Sequence, residues 1–191
     1  MELSLNTRPF IDWSQFSQNV KPEPDPVIIV RHVDMEDAYG IFRRLSHEVA
    51  RCRYDVPLDH KVIVAYKTVQ SDKREKEKEA IGIVTFWISQ MSISRNVGTF
   101  QFMDSYFHHI SFMFVNKKYQ RQGIGTKLLD AAMATIRESG LNRPIHLEAA
   151  KSAVQFFRKK GFVSLGRAEK GSSHRGSSLF SHYFNMQHKF S

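Results

Sequence analysis

Phe107-His108-His109-Ile110-Ser111-Phe112-Met113-Phe114-Val115 leads within five residues to Gln120-Arg121-Gln122-Gly123-Ile124-Gly125, and then to Leu128, Leu129, Ala132, Met133 and Ile136. The first stretch is rich in aromatic and β-branched residues and predicts a strand buried on at least one face. The last set recurs every three or four residues from Thr126, as one face of a helix does, and Gly140 followed by Pro144 ends it. Between them lies a glycine-rich turn. A strand, a glycine turn and a helix N-terminus in that order make a phosphate site. The first helical N–H groups have no partner within the helix, the helix dipole is positive there, and glycines let an anion approach the backbone.

Two nucleotide-binding motifs fail on spacing. A P-loop needs GxxxxGK followed by Ser or Thr, and here the order is reversed in Thr126-Lys127. A Rossmann fingerprint needs GxGxxG, whereas Gly123 and Gly125 are followed by Lys127 and Leu128.

Outward from this segment the chain divides simply. Residues 1–26 are mixed polar and aromatic and end in Lys21-Pro22-Glu23-Pro24-Asp25-Pro26, whose alternating prolines block both helix and sheet pairing. They read as an arm or linker before one domain over 27–191, since 191 residues suit one core. Val27–Val30 reads as a strand, and Asp34 with Asp37 opens a helix whose face is Ala38, Ile41, Phe42, Leu45 and Val49. Val62–Tyr66 and Ala80–Ile88 read as a hairpin around a charged loop at 70–79. Ile145–Ala149 is a further strand, Ser152–Lys160 a helix closed by Gly161, Phe162–Leu165 a strand start, and Leu179–Phe190 the last strand after a Gly/Ser loop at 171–178. The order predicts an α/β (α+β) fold, a mixed sheet with helices on both faces.

Composition narrows the class. Cys52 is the only cysteine, so no internal disulfide forms; a reducing compartment follows, and the thiol is expected to be packed near a helix end. Neither a membrane span nor a secretory signal is legible, which points to a cytoplasmic or nuclear protein with no membrane partner. The net charge of +9 is unevenly placed. Residues 72–79 cancel, while 151–191 carry eight Lys or Arg against Glu169 alone. That surface attracts anions, nucleic acid or a polyphosphorylated cofactor among them. No nucleic-acid motif accompanies it, and the expectation is that nucleic acid is not a partner. No metal site is expected, and Asp55, Asp59 and Asp104 fall in predicted loops.

Val115 to Leu129, with its Gln120-Arg121-Gln122-Gly123-Ile124-Gly125 core, resembles motif A of the GNAT N-acetyltransferase superfamily. Ala150-Lys151-Ser152-Ala153-Val154-Gln155-Phe156-Phe157-Arg158-Lys159-Lys160-Gly161-Phe162 is similar to that family's motif B. The resemblance covers roughly 27–190 and implies a central, mostly antiparallel sheet splayed at the cofactor site. It implies acetyl-CoA or another acyl-CoA as co-substrate and an amine acceptor as partner, with the oligomeric state left open. By position, the backbone of Phe114 and Val115 would pair with the pantetheine. The N–H groups of Gln120, Arg121, Gln122, Gly123, Ile124, Gly125 and Thr126 would hold the pyrophosphate. Lys151 and Lys160 would meet the adenosine-side phosphates, and Phe157 would pack on the pantetheine.

Two departures bear on proton transfer. Where the family often carries a Glu six residues before the strand-ending Val, this chain has His109, an imidazole able to serve as the base through water at neutral pH. The alternative reading of His109, a strand His beside a second one, His108, is a hydrogen-bonded wall residue. Where the family's Tyr protonates the leaving thiolate, Phe157 has nothing to offer, which leaves Tyr183, His182 or Ser152 as candidate acids. Glu148, beside His146, is a candidate for the acceptor site. The expected activity is direct transfer of a short acyl group from acyl-CoA to a primary amine, with a non-catalytic acyl-CoA-binding module as the alternative.

Overall fold

A computed structural model describes residues 28–56, 59–69, 77–89, 106–167, 169–170 and 182–190. The arm at 1–26, most of the charged loop, Asp104 and the Gly/Ser loop lie outside these residues. In chain order the elements are β1 (Ile28–Val33), α1 (Met35–Ala50), β2 (Lys61–Val69), β3 (Glu77–Trp87), β4 (His108–Val115), α2 (Ile124–Glu138), β5 (Ile145–Ala150), α3 (Val154–Lys159), β6 (Val163–Ser164), β7 (Glu169–Lys170) and β8 (His182–His188). A single 3-10 turn, Lys117–Tyr119, joins β4 to α2.

All strands among the described residues lie in one sheet of order β1-β2-β3-β4-β5-β8-β6, with β7 also on β8. β6 and β7 are two pieces of one outer edge, antiparallel to β8 and separated by the bend after Leu165. Every pairing is antiparallel except β4 with β5.

The helices cover both faces because β2 is apolar on both. Ile63 and Ala65 pack with α2 residues Leu128, Leu129, Ala132 and Ile136, whereas Val62, Val64 and Tyr66 pack with α1 residues Ala38, Phe42 and Leu45. A strand buried on both faces reads as a continuous apolar run, as Val62–Tyr66 does. The phenylalanines supply much of the bulk. Phe42, Phe86 and Phe162 are fully buried, and Phe42 meets Phe112 and Phe114 edge-on at 5.4 and 5.6 Å.

Two bulges re-aim the central strands. At Ala65/Tyr66 the register skips Ile81, and at Thr85/Phe86 it skips Ser111 on β4. An extra residue in one strand increases local twist and turns side chains, and such bulges are common beside active sites. Gly82 follows the first bulge and is needed for space: a Cβ there would stand 2.9 Å from Leu128 Cδ1 and 3.2 Å from the Phe114 carbonyl. α2 therefore lies close on β3, next to the end of β4.

Several boundaries differ from the sequence expectation. α2 starts at Ile124, not Thr126, so the motif's last residues form the first helical turn. α3 is shorter than Ser152–Lys160 because 151–153 form a turn. Asp34 precedes α1 as expected but makes no side-chain cap bond; its carbonyl accepts from the Ala38 N–H at 2.9 Å. Cys52 is a correction: it is exposed, not packed. α1 ends at Ala50, Arg51 turns left-handed with φ 61°, and Cys52 is thereby carried off the apolar face.

Candidate active site

β4 and β5 run parallel for three register pairs, His108 with Ile145, His109 with His146 and Ile110 with Leu147, and there the ladder stops. Each strand stays paired on its other side, β4 with β3 as far as Val115 and β5 with β8 as far as Ala150. The strands thus part like a V from Ser111 and Glu148 onward. The opening is a cleft of about 110 Å³, lined by Ile110 to Phe114 from β4, Leu147 to Ala150 from β5, and Ala153 and Phe157 from the α3 side. Strand edges that face a cleft offer N–H and C=O groups to an extended, amide-bearing ligand.

At the wide end of the V stands the N-terminus of α2. Gly123 caps it with φ 78°, a left-handed conformation that a β-carbon disfavours. The first bond inside the helix runs from the Lys127 N–H to the Gly123 carbonyl at 3.0 Å, so the N–H groups of Ile124, Gly125 and Thr126 precede the ladder. The turn before it is held rigidly. Asn116 accepts from the Lys118 N–H and donates to Glu48 at 2.8 Å, and the Tyr119 hydroxyl donates to Glu79 at 2.8 Å. That bond, reinforced by burial and by the Glu79 charge, raises the Tyr119 pKa. Lys117, Lys118 and Arg121 are exposed cations around the turn.

The two glutamines of the motif serve the turn itself. Gln120 Nε2 donates to the Val115 carbonyl at 3.0 Å, and Gln122 Nε2 donates to the Lys118 carbonyl at 3.1 Å. The Gln120 N–H is already directed at the Lys117 carbonyl, at 3.4 Å. The glutamine side chains thus act as braces of the turn.

The other anticipated residues separate into those the cleft gathers and those it does not. Phe114 and Phe157 line it, both nearly buried, and Phe157 packs edge-on against Phe156 and Phe162 at 5.0 and 5.6 Å. Lys151 is exposed on the turn after β5. Lys160 donates to Asp130 through bonds of 2.9 and 3.0 Å, which tie the end of α3 to α2. Glu148 lines the cleft, and Tyr183 sits across from Ala150 on β8, one strand away.

The histidines take distinct roles. His108 is fully buried; its Nδ1 accepts from the Ser89 N–H at 3.2 Å and its Nε2–H donates to the Leu141 carbonyl at 3.0 Å. Burial is the main cause that lowers its pKa. His146 stacks on Phe107 at 4.0 Å and accepts from Gln187, with burial again lowering its pKa. His109 bonds through Nδ1 to the Ser111 hydroxyl at 3.0 Å, and Ser111, not His109, lines the cleft. A second imidazole meets the same hydroxyl: His60 Nε2, at 2.7 Å. Sequence reasoning missed both partners. Ser111 was open to discovery, two residues from His109 on one strand, but nothing local links His60 to a residue 51 positions away.

The comparisons with known proteins agree with this geometry. The model of the acetyltransferase (GNAT) domain matches residues 58–175, more than half of the chain. Among solved structures, Arabidopsis thaliana NAA60 in complex with a bisubstrate analogue superposes with a TM-score of 0.61 at 16% identity, over 86% of this chain and 100% of that one. The IAA acetyltransferase from Bacillus cereus gives 0.59 at 15% identity, over 86% and 100%. Ard1 from Thermoplasma volcanium gives 0.56 at 18%, over 86% and 98%. No curated protein matches by sequence. No helix among the described residues is long and apolar enough to cross a membrane. With the splayed sheet, the glycine-capped helix and the family match in agreement, this chain belongs to the GNAT acetyltransferase family.

Proposed function

We propose that the protein transfers an acetyl or other short acyl group from acyl-CoA directly to a primary amine, within a ternary complex in the β4–β5 cleft. The observation that carries this reading is the parting of β4 and β5 after Ile110 and Leu147, with the α2 N-terminus at the open end. The pantetheine lies between the strand edges, near Phe114, Val115 and Phe157. The pyrophosphate meets the N–H groups of Arg121 to Thr126, where unpaired donors and the helix dipole favour negative charge. Lys151 is free to approach the adenosine end. Holding thioester and amine in one cleft supplies much of the rate through proximity. The amine's proton leaves toward the imidazoles behind Ser111, of which His109 is the one anticipated from sequence. Tyr183 is the candidate to protonate the leaving thiolate.

The experiment is titration calorimetry with CoA and acetyl-CoA, followed by transfer assays on spermidine, an aryl ethylamine, a peptide with a free N-terminus and a blocked peptide bearing lysine. Micromolar binding of CoA with turnover on one class is expected; no CoA binding refutes the reading. One observation favours a second reading, a non-catalytic acyl-CoA-binding module: Phe157 occupies the position of the family's acid and carries no ionisable group. CoA binding without turnover on any amine, unchanged in His109→Ala, selects it.

A further inference from the structure

The Ser111 hydroxyl touches two imidazoles and the cleft at once. A serine oxygen has one proton to donate and two lone pairs. Around Ser111 Oγ lie His60 Nε2 at 2.7 Å, His109 Nδ1 at 3.0 Å and the open cleft. Hydrogen bonds donated by a hydroxyl run shorter than those donated by a ring N–H. The shorter contact suits a hydroxyl donor: in that arrangement His109 Nδ1–H donates to Oγ, Oγ–H donates to His60 Nε2, and one lone pair of Oγ is left to face the cleft.

We propose that Ser111 and His60 form the exit path for the acceptor's proton, with His60 as its terminal acceptor and His109 as the positioning residue that orients the hydroxyl. This deepens, and rests on, the acyl-transfer reading above. The substrate ammonium gives a proton to Ser111 Oγ while the Ser111 proton moves to His60 Nε2. One N–H bond breaks on the amine and one O–H bond forms; one O–H bond breaks and one N–H bond forms on His60. The serine ends as it began, the amine is neutral and nucleophilic, and the positive charge rests on His60. His60 lies just before β2, partly buried, where it can pass that proton onward to solvent. The β4 bulge has a role here, since it is Ser111 that the register skips.

The test combines nitrogen-15 NMR of the imidazoles in the wild-type protein with kinetics. At neutral pH, His60 should carry its proton on Nδ1 and leave Nε2 bare, His109 should be protonated on Nδ1, and Ser111→Ala should free His60 to populate both tautomers. A proton on His60 Nε2 in the wild type overturns the proposal, whatever the activity. With acetyl-CoA and the panel amine that turns over fastest, His60→Gln and Ser111→Ala should each lower kcat about 10²-fold at pH 7. The KM for acetyl-CoA should stay unchanged, and the double variant should be no worse than either single one. The deficit should shrink toward pH 10, where the amine itself is increasingly neutral. An intact kcat, or a deficit equal at pH 7 and pH 10, overturns the relay. Absence of transfer by the wild type to every amine would instead sink the acyl-transfer reading and the relay with it, whereas contrary tautomers sink the relay alone and leave that reading standing.

Discussion

Replacing Gly82 by Ala isolates the contact that seats α2 on the sheet. The new methyl would stand 2.9 Å from Leu128 Cδ1, 3.2 Å from the Phe114 carbonyl and 3.3 Å from Ile124 Cγ2. None of these yields easily. Leu128 is fully buried, Ile124 nearly so, and the carbonyl belongs to a strand paired in register with β3. Overpacking of this kind costs about 1–3 kcal/mol, from which the lower chain entropy of an unfolded Ala removes about 0.4–1 kcal/mol. The net loss is about 1.3 kcal/mol at the middle of these ranges, which for a chain of this length lowers Tm by roughly 3–5 °C. The assay is urea unfolding with the slope m held common, run beside Gly125→Ala. At Gly125 the nearest atom to a new Cβ is Phe156 at 3.6 Å, ordinary contact, so that variant should be as stable as the wild type or more so. The reasoning fails if Gly82→Ala unfolds at the wild-type midpoint, or if Gly125→Ala is destabilised as much. CoA affinity should fall in Gly82→Ala as well, because Ile124 opens the helix whose N-terminus is proposed to meet the phosphates.

Burial lowers the pKa values of His108, His146 and His188 in the folded state. The unfolded chain then binds protons that the folded one rejects, so the stability present above pH 6.5 should decline as pH falls below it; urea titrations from pH 7.5 to 5 check this, and a flat profile refutes it. Phe157→Ala removes a ring packed between Phe156 and Phe162 and should cost about 3–5 kcal/mol. Phe157→Tyr, which supplies a hydroxyl at the cleft wall, should raise kcat severalfold if thiolate protonation limits turnover, as read from steady-state rates; an unchanged kcat locates the limit elsewhere. Cys52, being exposed, should react with one equivalent of maleimide in the native protein, and mass spectrometry showing labelling only after unfolding would contradict its placement.

The strand–turn–helix part of the candidate site was legible because it is local. A strand, a glycine turn and a helix N-terminus are consecutive in the chain, and their meaning follows from unpaired N–H groups and glycine's tolerance of positive φ at Gly123. The Ser111–His60 contact was not. Ser111 stands at a bulge that only the pairing of β3 with β4 creates, and His60 lies just before β2, 51 positions away. Lys160 shows the same limit, since the linear order does not reveal that Asp130 meets it across a helix–helix gap.

By itself, then, the sequence determined the order and type of the elements, the family, and the backbone cradle beside Gly123 and Gly125, all properties of neighbours in the chain. Only the tertiary structure decided where β4 leaves β5, which side chains face the opening, and which charges are already paired. Those depend on strand register and on contacts between residues tens of positions apart, and a one-residue change in register moves a side chain to the other face of the sheet.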